Sequence, residues 1–171
     1  MGAAAPPLRI VVMGVSGCGK SRVGRLLAQA LALPYVEGDE LHPARNVARM
    51  AAGIALTDAD RQGWLQAVAQ KLGHAPHGVV VSCSALKRRY RDGLRAAAPD
   101  LRLVFLHGDA ALLATRMLSR PGHYMPASLL QSQLATLEPP GPDEAPVTAD
   151  IARPPAAIVA DVVRQLQASR R

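Results

Sequence analysis

The sequence predicts an α/β domain of three layers, a five-stranded parallel sheet with helices on both faces. Three observations predict it. Short apolar runs of buried-strand type alternate with longer stretches whose apolar residues recur at helical spacing, from Leu8 through to Leu166. No two strand-type runs follow one another directly, so each connection reads as a helical crossover and the strands as parallel. Polar residues gather just after the strand-type runs, where open parallel sheets bind ligands.

The elements follow in order. Leu8, Ile10, Val11, Val12 and Met13 make a first strand broken only by Arg9, and Val23, Leu26, Leu27, Ala30 and Leu31 make the stripe of a first helix. Leu33-Pro34-Tyr35-Val36 leads into Glu37-Gly38-Asp39, a short second strand ending in two acids. Pro43 suits the first residue of a short helix that Gly53 ends. Thr57 to Asp60 has capping-box spacing and opens a longer helix with Leu65, Val68 and Leu72 inward, stopped by Gly73. Gly78 to Ser84 is a third strand, followed by a basic helix from Leu86 to about Ala97. Leu101 to Leu106 is a fourth strand, and Asp109 caps a helix carrying Leu112, Leu113, Met117 and Leu118. A basic stretch from Arg116 leads into a loop with Pro121-Gly122 at its turn, and Pro126 starts another helix. Residues 138–146 hold four prolines and a glycine and read as loop. A fifth strand over 146–150 and a helix with Ile158, Val159, Val162, Val163 and Leu166 close the chain.

With 171 residues and no repeat or linker, the reading is a flexible terminus at 1–7, one domain over 8–171, and a mobile lid at about 116–126. A hydrophobic fraction of 49% and mean hydropathy of +0.08 set it among globular chains, and no apolar run is long enough to span a bilayer. Residues 1–7 have neither the charged nor the apolar region of a secretory signal. Cys18 and Cys83 read as reduced thiols of a cytoplasmic protein. The net charge of +7 raises nucleic acid as a partner, but aromatics are only 3% and the cations are spread along the chain. An anionic small substrate accounts for the charge equally well. His74 and His77 form an H-x-x-H in a turn with no further ligand beside it, which excludes a metal site there.

Between the first strand and first helix stands Gly14-Val15-Ser16-Gly17-Cys18-Gly19-Lys20-Ser21, which satisfies G-x-x-x-x-G-K-[ST] in the strand–loop–helix context that gives the pattern meaning. Its glycines let successive N–H groups point at phosphate oxygens, and the helix start adds its positive end. Lys20 would reach the outer phosphates, and the Ser21 hydroxyl would ligate magnesium.

Further motifs run along nearly the whole chain. Gly38-Asp39-Glu40-Leu41-His42-Pro43 resembles the G-D-x-L-H-P of the gluconate kinases, small phosphate-loop enzymes related to shikimate kinase. Asn46, Met50 and Gly53 are similar to their N-x-x-K-M-x-x-G, with Arg49 in place of lysine. Leu56 to Arg61 with Trp64 and Leu65 resembles L-x-D-x-D-R-x-x-W-L, and Cys83 to Lys87 with Tyr90, Arg91 and Asp92 resembles C-S-A-L-K-x-x-Y-R-D. Gly122, His123 and Tyr124 resemble G-H-F-F with Tyr124 and Met125 replacing the phenylalanines, and Gln133, Leu137, Glu138 and Pro139 resemble Q-F-x-T-L-x-x-P with Leu134 for phenylalanine. Cys18 stands where many relatives have serine.

The resemblance implies a P-loop kinase fold and phosphoryl transfer from ATP to the 6-hydroxyl of D-gluconate, in a homodimer. Gly14, Val15, Ser16, Gly17, Cys18, Gly19, Lys20 and Ser21 would bind ATP, and Ser21 with Glu37 would hold magnesium. Asp39 is the candidate to orient the attacking hydroxyl and take its proton, with His42 bonding the substrate or bracing Asp39. A gluconate carboxylate calls for a fixed cation, and Arg61 leads by analogy with shikimate kinase, followed by Arg49 and Lys87. Arg116 and Arg120 resemble lid arginines closing over the phosphates, with His123 reaching the substrate from the lid, whereas Arg88, Arg89 and Arg95 read as solvated. Asp150 and Pro154-Pro155 fall where relatives contact adenine. Two rivals stay open: a related kinase for shikimate or another hydroxy acid, and a nucleotide-dependent binding module.

Overall fold

A computed structural model describes residues 5–119 and 128–171. Five parallel strands, β1 (Arg9–Met13), β2 (Tyr35–Glu37), β3 (Val79–Ser82), β4 (Arg102–His107) and β5 (Val147–Asp150), form one sheet in the order β2-β3-β1-β4-β5. In register, Val11 lies between Val81 and Leu103, so β1 is the central strand. Among the described residues seven helices connect and cover the strands: α1 (Lys20–Leu31), α2 (Ala44–Ala51), α3 (Asp58–Gly73), α4 (Arg88–Ala97), α5 (Ala110–Leu118), α6 (Leu129–Thr136) and α7 (Pro155–Ala168). Among the described residues no helix is long and apolar enough to cross a membrane.

The period of two along each strand divides the core. Ile10, Val12, Val104 and Leu106 face one layer with Val23 and Leu27 of α1 and Ile158, Val162 and Leu166 of α7. Val11, Met13, Val81, Leu103 and Phe105 face the other with Trp64, Val68 and Leu72 of α3 and Leu94 of α4. The three-layer prediction holds, as do the Thr57–Asp60 capping box and the Asp109 cap.

Several boundaries differ from the sequence reading. β2 stops at Glu37, and Asp39 sits on a single 3-10 turn, Gly38–Leu41. Gly38 presses so closely on β3 that a Cβ there would lie 2.0 Å from the Ser82 carbonyl. β3 ends at Ser82, and α4 begins at Arg88 because residues 83–87 form a loop with Ala85 at φ +44°. Pro43 is the residue before α2, and Gly73 is the last residue of α3. A 3-10 turn, Pro142–Glu144, interrupts the proline-rich loop. Pro126 lies outside the described residues.

Arg91 shows what that loop does. Its side chain is 0% exposed and forms a bidentate pair with Glu144, 1% exposed, at 2.8 and 3.0 Å. The third arm donates to the Ala85 carbonyl at 2.8 Å, and Arg95 also reaches Glu144. Burial opposes the charge on Glu144, but the two arginines win and hold its carboxyl at about 2. Arg91 therefore parts company with the exposed Arg88 and Arg89 of the same helix, and Arg95 is paired rather than simply solvated. Arg91→Ala leaves a buried carboxylate short of its main partner and is expected to cost about 3 kcal/mol of unfolding free energy in urea titration.

Candidate active site

The site is assembled at the carboxyl ends of β1, β2 and β3. Residues 14–21 wrap from β1 into α1, and two glycines are required by geometry. A side chain at Gly14 would meet the Leu106 carbonyl at 2.7 Å. Gly19, at φ +88°, takes the left-handed turn that starts α1. Lys20 Nζ donates to the Val15 carbonyl at 3.0 Å, folding back over the loop.

Glu37 is the electrostatic anchor beside this loop. It accepts from the Ser21 hydroxyl, from Tyr35 Oη at 2.8 Å and from Ser82 Oγ at 2.8 Å, with Arg25 at 3.8 Å. Burial would raise its carboxyl, but the Ser21, Ser82 and Tyr35 hydroxyls and the Asp39 amide together hold it below the usual range, so it is ionised. The same burial pushes the Tyr35 phenol up to about 12.

Two cavities meet here. The larger, about 540 Å³, has the loop as its floor, cations from Lys20, Arg22, Arg25, Arg116 and Arg153, and an apolar end formed by Ile151, Pro155 and Ile158. Loop amides and cations beside apolar side chains in one cavity suit a nucleoside triphosphate, which carries both phosphates and a base. Arg116 is held there by donating to the Ile151 carbonyl at 2.7 Å. The smaller cavity, about 30 Å³, is lined by His42, Met50, Leu56, Arg61, Trp64, Ser84, Leu86 and Gln133. Ser16, Lys20 and Asp39 line both.

His42 stacks on Trp64 with ring centroids 4.1 Å apart, and Trp64 Nε1 donates to the Gly38 carbonyl at 2.8 Å, tying the pair to the turn that bears Asp39. Burial first and the Arg61 charge second push the His42 imidazole down to about 4, so it is neutral at physiological pH. The three candidate cations separate by position. Arg61 lines the small cavity, donates to Tyr90 Oη at 2.9 Å and lies over that ring at 5.6 Å. Arg49 pairs with Asp60 at 3.5 Å and Lys87 with Asp58 at 3.1 Å, and neither is among the residues lining it. Of the adenine-side candidates Pro155 lines the large cavity, whereas the Asp150 carboxylate caps its own turn by accepting from the Ala152 amide. Arg120 and His123 lie outside the described residues. Cys18 and Cys83 are both buried. No group of three or more metal-ligating side chains occurs among the described residues.

Sequence reasoning gave no role to Gln133, Trp64, Ser84, Arg25, Ile151 or Arg153. Trp64, Ser84 and Gln133 stood in recognised motifs, so a signal existed for them; Arg25, Ile151 and Arg153 had none.

Loop, acid, and two cavities joined at one lysine define a phosphotransferase of the phosphate-loop class. Residues 10–140 match the AAA domain family. The gluconokinase of Gluconobacter oxydans is 47% identical over 167 residues, 95% of this chain and 93% of that protein. The thermoresistant gluconokinase of Escherichia coli is 40% identical, covering 92% of each. A crystal structure of a gluconokinase from Sinorhizobium meliloti aligns over 98% of this chain and 100% of that one, with TM-score 0.84 and 49% identity. Shikimate kinase from Aquifex aeolicus, 18% identical at TM-score 0.61, shares the fold. The chain belongs to the gluconokinase family.

Proposed function

We propose that this protein transfers the γ-phosphoryl group of ATP to the 6-hydroxyl of D-gluconate, giving 6-phospho-D-gluconate and ADP. The observation that carries the reading is the junction of the two cavities, where Lys20 and Asp39, with Ser16, line both and set one cation and one acid between donor and acceptor. Membership of the gluconokinase family supplies the acceptor.

Each residue has a part that its position supports. Lys20 leaves the Val15 carbonyl for the outer phosphates, with the loop amides and Arg116 around them. Asp39 aligns the acceptor hydroxyl and accepts its proton as the phosphoryl group departs. Arg61, oriented by Tyr90, takes the gluconate carboxylate, with His42 as a neutral hydrogen-bonding wall. The small cavity has room for about two waters, so acceptor binding widens it. Arg120 and His123 complete the site from a lid over 116–126 on the strength of the resemblance.

The residues also fit magnesium. The Ser21 hydroxyl and the ionised Glu37 carboxylate are hard oxygen donors hydrogen-bonded to each other beside the phosphate loop. Bound with ATP, the metal would neutralise charge developing on the phosphate oxygens. We further propose one domain over 8–171 acting as a cytoplasmic homodimer, the dimer on the strength of the resemblance and the location on two buried cysteines that make no disulfide framework.

Product identity tests the reading. With 13C-labelled gluconate, the product phosphorus is expected to couple to C6 in NMR spectra. Coupling to another carbon would overturn the regiochemistry, and no phosphorylated gluconate would overturn the function.

A further inference from the structure

Gln133 joins the two halves of the site. It lies on α6, 117 residues from the phosphate loop, yet its Oε1 accepts the Ser16 N–H at 2.7 Å. A backbone N–H can only donate, so the carboxamide oxygen faces Ser16, and the same planar group carries an N–H₂ donor. Gln133 also lines the smaller cavity, and Ser16 is one of three residues shared by both.

The placement is rigid. Leu129 and Leu130 bury the start of α6, and the segment after it is pinned to the loop over 83–87 and the start of α4, where the Glu138 amide donates to the Leu86 carbonyl at 2.7 Å and the Arg88 amide to Glu138 Oε1 at 2.8 Å. An amide held this firmly at the donor–acceptor junction is a preorganised dipole, the kind of group that stabilises charge in a transition state.

We propose that Gln133 is a further residue of the transfer site, bonding the Ser16 amide with its oxygen and presenting its amide nitrogen to the acceptor hydroxyl or the transferring phosphoryl oxygen. The inference rests on the kinase reading above and adds a residue to it. It assigns the first variable part of the phosphate loop to the acceptor side and leaves the following amides to the nucleotide.

Two variants separate this role from a bracing role. Gln133→Ala removes both bonds, and kcat should fall about 10²-fold with KM for D-gluconate up about tenfold, while affinity for a non-hydrolysable ATP analogue stays within about twofold. Gln133→Glu keeps an oxygen for Ser16 and a similar shape but removes the donor and adds negative charge. It should keep its thermal midpoint and still lose at least about 10²-fold in kcat. A Gln133→Glu enzyme with normal kcat and KM would leave only a brace and overturn the proposal, as would a normal Gln133→Ala. The unmodified chain is assayed alongside. If it shows no gluconate-dependent turnover, the functional reading falls and this inference with it; if it is active, the variants judge the inference alone.

Discussion

Lys20→Ala is expected to lower gluconate-dependent ADP formation by ~10³-fold or more while the protein stays folded. Both expectations come from position. Among the described residues Lys20 is the cation that lines both the donor and the acceptor cavity, so it is placed to follow charge from ground state to transition state along the transfer path. Arg22, Arg25 and Arg153 line only the large cavity. The structural cost is small. The side chain is half-buried at the first turn of α1, it bonds the Val15 carbonyl, and alanine is the best helix former. A net loss of about 1 kcal/mol covers that bond. Circular dichroism and a thermal melt beside the assay check both halves, and turnover retained within tenfold would remove the phosphate loop from the mechanism.

Asp39→Asn is expected to lower kcat by about 10³-fold and to change ATP affinity little. The amide has nearly the same shape, so the 3-10 turn Gly38–Leu41 keeps its geometry, while the base for the acceptor proton is lost. Glu37 cannot stand in. Its carboxylate is held by Ser21, Ser82 and Tyr35 and does not line the small cavity. Single-turnover kinetics with a separate ATP-binding titration checks this. An unchanged kcat would take Asp39 out of the chemistry, and a proportional loss of ATP binding would move it to the metal side.

The features of this site differ in how far the sequence reveals them. The sheet, its helices and the phosphate loop were readable because they depend on period and local spacing, as in Ile10–Met13 followed by the glycines and by Val23 and Leu27. The end of β2 was not, since it depends on Gly38 touching the Ser82 carbonyl of a strand 44 residues on. Arg91 and Arg89 look alike in a basic helix, and only the arrival of Glu144 from a distant loop buries one of them. Arg49, Arg61 and Lys87 were equivalent as charges. Which helix face meets the cavity separates them, and that is set by how α2, α3 and the loop before α4 pack together. Gln133 belongs to the same class, visible as a motif letter but without a partner until α6 is laid against Ser16.

The most direct test of the account is ADP release with Mg·ATP and a panel of D-gluconate, shikimate, glucose, nucleoside monophosphates and no acceptor. The account predicts release that requires D-gluconate, with the other acceptors near the background. Turnover driven by another acceptor would contradict the assignment of the small cavity, and ATP binding without turnover on any of them would contradict the enzyme reading itself.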